Sequence, residues 1–169
     1  MAALRRKGVS LGSVPVLVCR FARAIWCQRF RAGAAYLKDY SIRQTLYGFR
    51  LHVQICWPGV MSYLFLVPAN EQDYEITPML TLGSFGITLG NRHYWHPRIQ
   101  QEIRAQGVIL LAPFRRASSS KSKAAESRVL GHMRYRIDTI FGQLTDRCQL
   151  KQYGSVICGF YATACCAWS

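Results

Sequence analysis

The segment Tyr47–Cys56 (Y-G-F-R-L-H-V-Q-I-C) constrains this chain more than any other. Phe49, Leu51, Val53 and Ile55 recur at every second position, which is the period of an extended strand and not of a helix. Trp57-Pro58-Gly59 follows at once as a turn, and Val60–Val67 is a second apolar run. The two runs predict a β-hairpin with one buried face, so the chain has to build a sheet and cover it. Of its 169 residues 50% are hydrophobic, enough for a sizeable core, and extended disorder is excluded.

The rest of the sequence supplies further elements. Val14–Cys19 (V-P-V-L-V-C) is short, apolar and β-branched, as a buried strand requires. From Arg20 to Arg43 the chain is basic and poorly periodic, with Arg20, Arg23, Arg29, Arg31, Lys38 and Arg43 against Asp39 alone. Glu71–Leu82 predicts a short helix with Asp73 as its cap, although Pro78 works against it. Ile87–Leu89 is a short strand with Gly90-Asn91-Arg92 at its C-terminal end. His96–Gln106 is helical: Ile99 and Ile103 stand four apart, Pro97 lies in the first turn and Gly107 stops it. Val108–Ala112 is another buried strand, and Arg115–Lys123 is a basic, Ser-rich linker. Glu126–Cys148 closes the series as a helix with Ile137, Ile140, Phe141 and Leu144 on one face. A hairpin followed by alternating strands and helices predicts an α/β fold, a mixed sheet with helices packed on it.

Charge narrows the choice of partner. Twenty-two Lys and Arg against eight Asp and Glu leave a formal net charge of +14, which suits a polyanion: nucleic acid first, an acidic membrane face second. Seven cysteines (Cys19, Cys27, Cys56, Cys148, Cys158, Cys165 and Cys166) form no C-x-x-C pair and no finger-like cluster. They read as free thiols in a reducing compartment, the cytoplasm. The apolar run near the N-terminus is interrupted by Pro15 and followed by Arg20, unlike a secretory signal. Residues 152–169 carry no charge, but Gly154, Ser155, Gly159 and Thr163 dilute them, and no membrane span is expected.

Two short segments are candidates for chemistry. In G-N-R-H-Y-W (Gly90–Trp95) a strand end meets a helix start, the place where open α/β sheets hold ligands. In Y-R-I-D-T-I-F-G-Q-L (Tyr135–Leu144) Asp138 lies on a helix beside Arg134 and Arg136. There it is either a salt-bridged surface group or a metal ligand. Asp146, two turns on, is its rival. His93 and His96 lack a third ligand and are expected to cap or pack. Tyr94 and Trp95 are suited to stacking on a base, but burial under the following helix is the stronger expectation.

Taken with S-V-P-V-L-V-C-R-F-A-R-A, Y-G-F-R-L-H-V-Q-I-C-W-P-G-V, V-P-A-N-E-Q-D and L-G-N-R-H-Y-W-H-P-R-I-Q-Q-E-I-R-A-Q-G, these segments resemble the catalytic domain of insertion-sequence DDE transposases, from about Ser13 to Cys148. The resemblance implies an RNase-H-like fold and DNA as partner. It also implies DNA cleavage and strand transfer by three carboxylates holding two Mg²⁺ about 3.5–4 Å apart. The first acid would directly precede Ser13-Val14-Pro15, where this chain has Gly12. The second would sit in Gly-Asp-Arg, where it has Asn91. Asp138 keeps the third, as the retained acid and metal ligand. With two of three acids replaced, the copy is expected to be inactive and to have lost Mg²⁺. The alternative reading is a non-catalytic DNA-binding or transposase-regulating remnant. Arg20, Arg23, Arg29, Arg31, Arg134 and Arg136 are the candidate DNA contacts, and self-association is left open. The expected organisation is a short N-terminal remnant at 1–11, the transposase domain at 12–151, and a tail at 152–169 that resembles a frameshifted read-through.

Overall fold

The structure, a computed structural model, describes residues 8–20, 24–27, 30–31, 33–39, 43–56, 59–112 and 135–147. Its strands are β1 (Val9–Arg20), β2 (Ala35–Asp39), β3 (Gln44–Cys56), β4 (Val60–Pro68), β5 (Gly86–Leu89) and β6 (Val108–Leu111). Its helices are α1 (Asp73–Leu80), α2 (Pro97–Ala105) and α3 (residues 135–147), with a 3-10 turn at Arg92–Tyr94. The strands form one mixed sheet in the order β2-β3-β1-β5-β6, with β4 also paired to β3. The described residues divide into two compact units: one takes those of 8–13, 52–65, 72–112 and 135–140, the other those of 14–51, 66–71 and 141–147.

In the first unit β1, β5 and β6 pair in parallel. Val9 and Ser10 of β1 lie opposite Thr88 and Leu89 of β5, and Gly86–Leu89 run beside Val108–Leu111. The chain passes from β5 to β6 through the 3-10 turn and α2. Proline at the start of α2 loses no helical hydrogen bond, Ile99 and Ile103 are buried one turn apart, and Gly107 at φ 81° ends the segment. Each of these isoleucines, taken out of water, contributes about 1.5–3 kcal/mol. They join Val9, Leu11, Leu80, Tyr94, Val108 and Leu110 in one core, against which Cys56, Tyr63, Phe65, Tyr74 and Ile76 pack.

β3 is buried on both faces. Leu51, Val53 and Ile55 fill one face, as the alternation predicts, but His52 and Gln54 on the other are fully buried too. Polar partners make that tolerable. The Gln54 amide donates to Leu80 O at 2.5 Å and to Ser84 Oγ at 2.7 Å, and its oxygen accepts from Ser62 Oγ. Leu80 is the last residue of α1, so Gln54 satisfies one of the carbonyls that a helix leaves open at its C-terminus.

In the second unit Ala35–Asp39 pair antiparallel with Gln44–Gly48. This strand falls in the basic stretch where the sequence shows no period. Tyr36 and Lys38 are exposed while Ala35 and Leu37 are only half-buried, so its alternation is shallow. Cross-strand pairing holds it, with Tyr36 on Tyr47 at 5.0 Å between ring centroids. Gly48 is required by close approach: a Cβ there would run into the carbonyl oxygen of Val16.

Other differences are local. β1 begins at Val9, five residues before the expected strand, because Val9 and Ser10 pair with Thr88 and Leu89 of β5 and Val9 and Leu11 are buried in the core. Asp73 does not cap α1. Gln72 holds that position without a side-chain bond, and Asp73 is the first helical residue. Pro78 lies inside α1, whose last residue is Leu80. Residues 1–7 of the expected 1–11 remnant, Trp57-Pro58, the 115–123 linker, the 126–134 start of the last helix and the 152–169 tail lie outside the described residues, while residues 9–11 of that remnant belong to β1.

Candidate functional site

Side chains on a strand alternate between its faces, and β1 shows where each set goes. Val9 and Leu11 enter the core with α1 and α2. Gly8 and Ser10 line a small pocket with Ile55, Cys56, Gly59 and, from α3, Arg136 and Ile137. Gly12 has the parity of Gly8 and Ser10. It is two residues beyond Ser10, as Asn91 is two beyond Leu89, and Ser10 and Leu89 are register partners. Asp138 follows the buried Ile137 and is itself exposed.

The donor set at these positions is poor. Gly12 has no side chain to offer. The Asn91 amide oxygen accepts the backbone N–H of Arg92 at 2.7 Å and caps the 3-10 turn, so one of its two lone pairs is engaged and it brings no charge. Asp138 alone carries a charge. A hard divalent cation needs several anionic or strongly polar oxygens, and a close pair of such ions needs more. Among the described residues no three His, Cys, Asp or Glu are grouped to hold a metal ion. The residues at Gly12, Asn91 and Asp138 do not fit a two-ion centre.

The opposite face of β1 carries a polar cluster that sequence reasoning missed. Ser13 Oγ donates to Asp73 Oδ2 at 3.3 Å, and Asp73 is only 5% exposed. His52 Nε2 stands 4.0 Å from Asp73 Oδ1, and His52 Nδ1 lies 2.9 Å from Tyr94 Oη. Thr77 Oγ1 is 3.3 Å from both Asp73 O and Tyr94 O. The cluster ties β1, directly after Gly12, to the first turn of α1. The negative carboxylate sits where a helix N-terminus favours it. No local signal announces the cluster, because its members come from four separate segments.

Among the other candidates, Arg136 is half-buried at the pocket, and Arg31 is exposed and donates to Ile25 O at 3.2 Å. The side chain of Arg20, and Arg23, Arg29 and Arg134 entire, lie outside the described residues. Asp146 is exposed on α3. His93 is exposed, and His96 stacks on Tyr74 at 4.7 Å and makes no side-chain cap bond to α2. Tyr94 is fully buried as expected, but Trp95 is 47% exposed, because the 3-10 turn ends at Tyr94 and turns the next residue outward.

A mixed sheet with parallel β1, β5 and β6 and with helices packed on it has the α/β architecture of an RNase-H-like protein. The chain belongs to the family described as Transposase DDE domain, whose profile matches residues 5–154. No curated protein and no solved structure matches it. Membership makes it a transposase-family protein of a mobile element, with DNA as substrate class, in a family that generally uses divalent metal ions. No helix among the described residues is long and apolar enough to cross a membrane.

Proposed function

We propose that this transposase-family chain binds DNA in the cytoplasm but no longer cuts or joins it. The observation that carries the reading is the engagement of the Asn91 amide oxygen by Arg92, at the position where the family resemblance calls for an acid. Gly12 at the first position offers nothing, and Asp138 by itself holds Mg²⁺ no better than a lone surface carboxylate. What remains is the electrostatic half of the activity. A net charge of +14 gives sequence-independent DNA binding in the micromolar range or weaker at physiological salt, with log affinity falling linearly with log salt.

Incubation of the purified protein with supercoiled plasmid, in Mg²⁺ and separately in Mn²⁺, tests the chemistry. DNA is retarded in a gel and stays supercoiled. Metal-dependent nicking that disappears in Asp138→Ala would show an active enzyme and overturn the reading. Loss of all binding at low salt would remove its DNA-binding half.

A further inference from the structure

We propose that Ile25 and Trp26 form an apolar wedge that stacks against unpaired or loosely stacked DNA bases, a role that rests on the DNA-binding reading above. Trp26 is 82% exposed, the most of any large hydrophobic residue described, and Ile25 beside it is 64% exposed. An indole and a branched aliphatic side chain exposed side by side mark a contact surface.

The tip is held in place. The Cys27 N–H donates to Ala24 O at 3.2 Å and closes the turn that carries Ile25 and Trp26. Arg31 reaches back with its guanidinium to Ile25 O at 3.2 Å. Phe30, in the left-handed region at φ 62°, packs edge-on against Phe49 of β3 at 5.8 Å. Its carbonyl accepts the N–H groups of Gly33 and Ala34 at 3.0 and 2.8 Å. A tip fixed in this way loses little conformational freedom when it binds.

The surrounding charge names the partner. Between Arg20 and Arg43 six basic residues face one acidic residue. A basic stretch of sequence that carries an exposed indole, with Arg31 bonded to the tip itself, matches a nucleic acid, since cations take phosphates and the indole takes the face of a base. An anionic membrane would be attracted by the same charge, but it is held by an extended apolar face, and among the described residues the exposed apolar tip is Ile25 and Trp26. Bases in an intact duplex are already stacked, so the wedge gains most where a base is free: at a gap, at an end or in a single strand.

The test uses the full chain, as wild type, Trp26→Ala and Trp26→Phe. Binding is measured by fluorescence anisotropy to an intact duplex, the same duplex with a short gap, and a single strand, across a range of salt. Trp26→Ala should weaken binding to the gapped and single-stranded probes by about 5- to 150-fold, the equivalent of about 1–3 kcal/mol for one stacked base. The intact duplex should lose less. The slope of log affinity against log salt should not change, because no charge is removed. Trp26→Phe should retain most of the affinity. Gapped-DNA binding that is unaltered in Trp26→Ala would overturn the wedge and leave the DNA-binding reading standing. Absence of DNA binding by the wild type would overturn both. Binding to vesicles of phosphatidylserine and phosphatidylcholine that Trp26→Ala abolishes, with DNA affinity unaltered, would assign the tip to a membrane and overturn the proposal.

Discussion

Replacing Gln54 by leucine tests whether the polar face of β3 holds α1 in place. The two side chains are similar in volume, so the change removes hydrogen bonds without opening a large cavity. Three bonds go: those donated to Leu80 O and Ser84 Oγ, and the one accepted from Ser62 Oγ. At about 0.5–1.5 kcal/mol net for each neutral bond, the loss is about 1.5–4.5 kcal/mol. The value should lie near the middle of that range, about 3 kcal/mol. Leu80 O sits at a buried helix end, whereas the two serine hydroxyls can turn to other acceptors. In urea unfolding, with a slope of about 2 kcal/mol per molar, the midpoint should fall by about 1.5 M. Ser62→Ala leaves both amide donors in use but removes the bond to the Gln54 side chain, the contact with Gln54 O and the acceptor of the Cys56 thiol, so it should cost about 1–2 kcal/mol. In the Gln54→Leu background that cost should shrink without vanishing, because the side-chain partner is gone while Gln54 O and Cys56 remain. A midpoint lowered by less than about 0.3 M, or full additivity of the two changes, would show that the network does not bear on stability.

Gly48→Ala should destabilise by about 1–3 kcal/mol in the same assay, since its methyl group meets the Val16 carbonyl; a change within the scatter of exposed sites would contradict the close approach. Burial pushes the Tyr47 phenol above its ordinary 10.0; Cys27, Tyr36 and Cys19 add to the rise, and Arg31 opposes it. The neutral form is therefore the one that folding favours, so the contribution is complete below pH 10 and is lost as pH rises through the raised value. Stability relative to Tyr47→Phe should fall on going from neutral pH to above pH 10, and a constant difference would refute the raised value.

The sheet was legible where a signal is local. Alternation over Phe49, Leu51, Val53 and Ile55 marks β3, and Pro97, Ile99, Ile103 and Gly107 delimit α2, because each rule acts within a few residues. β2 was not legible, because it is held by its pairing with β3 and its own residues bury little. Nor were the roles of His52 and Gln54. Their partners Tyr94 and Ser84 lie 42 and 30 residues away, and a polar residue at an even position of a strand reads as solvent-facing. At the candidate site the motifs pointed to Gly12, Asn91 and Asp138, yet a motif counts ligands and does not say what the backbone does with them. The capping of Arg92 by Asn91 emerges only once the chain turns after β5.

On the proposed reading, Gly12 and Asn91 stand where acids would hold metal, and Mg²⁺ binding is lost with those acids. Calorimetric titration with Mg²⁺ tests this most directly, by comparing the wild type with Gly12→Asp/Asn91→Asp. The wild type holds one carboxylate, Asp138, and should show no saturable binding at millimolar Mg²⁺. The double variant holds three carboxylates. It should bind at least tenfold more tightly, and Asp138→Ala in that background should weaken it again. Saturable Mg²⁺ binding by the wild type as tight as that of the double variant, and lost in Asp138→Ala, would show that the site still holds metal and would contradict the account.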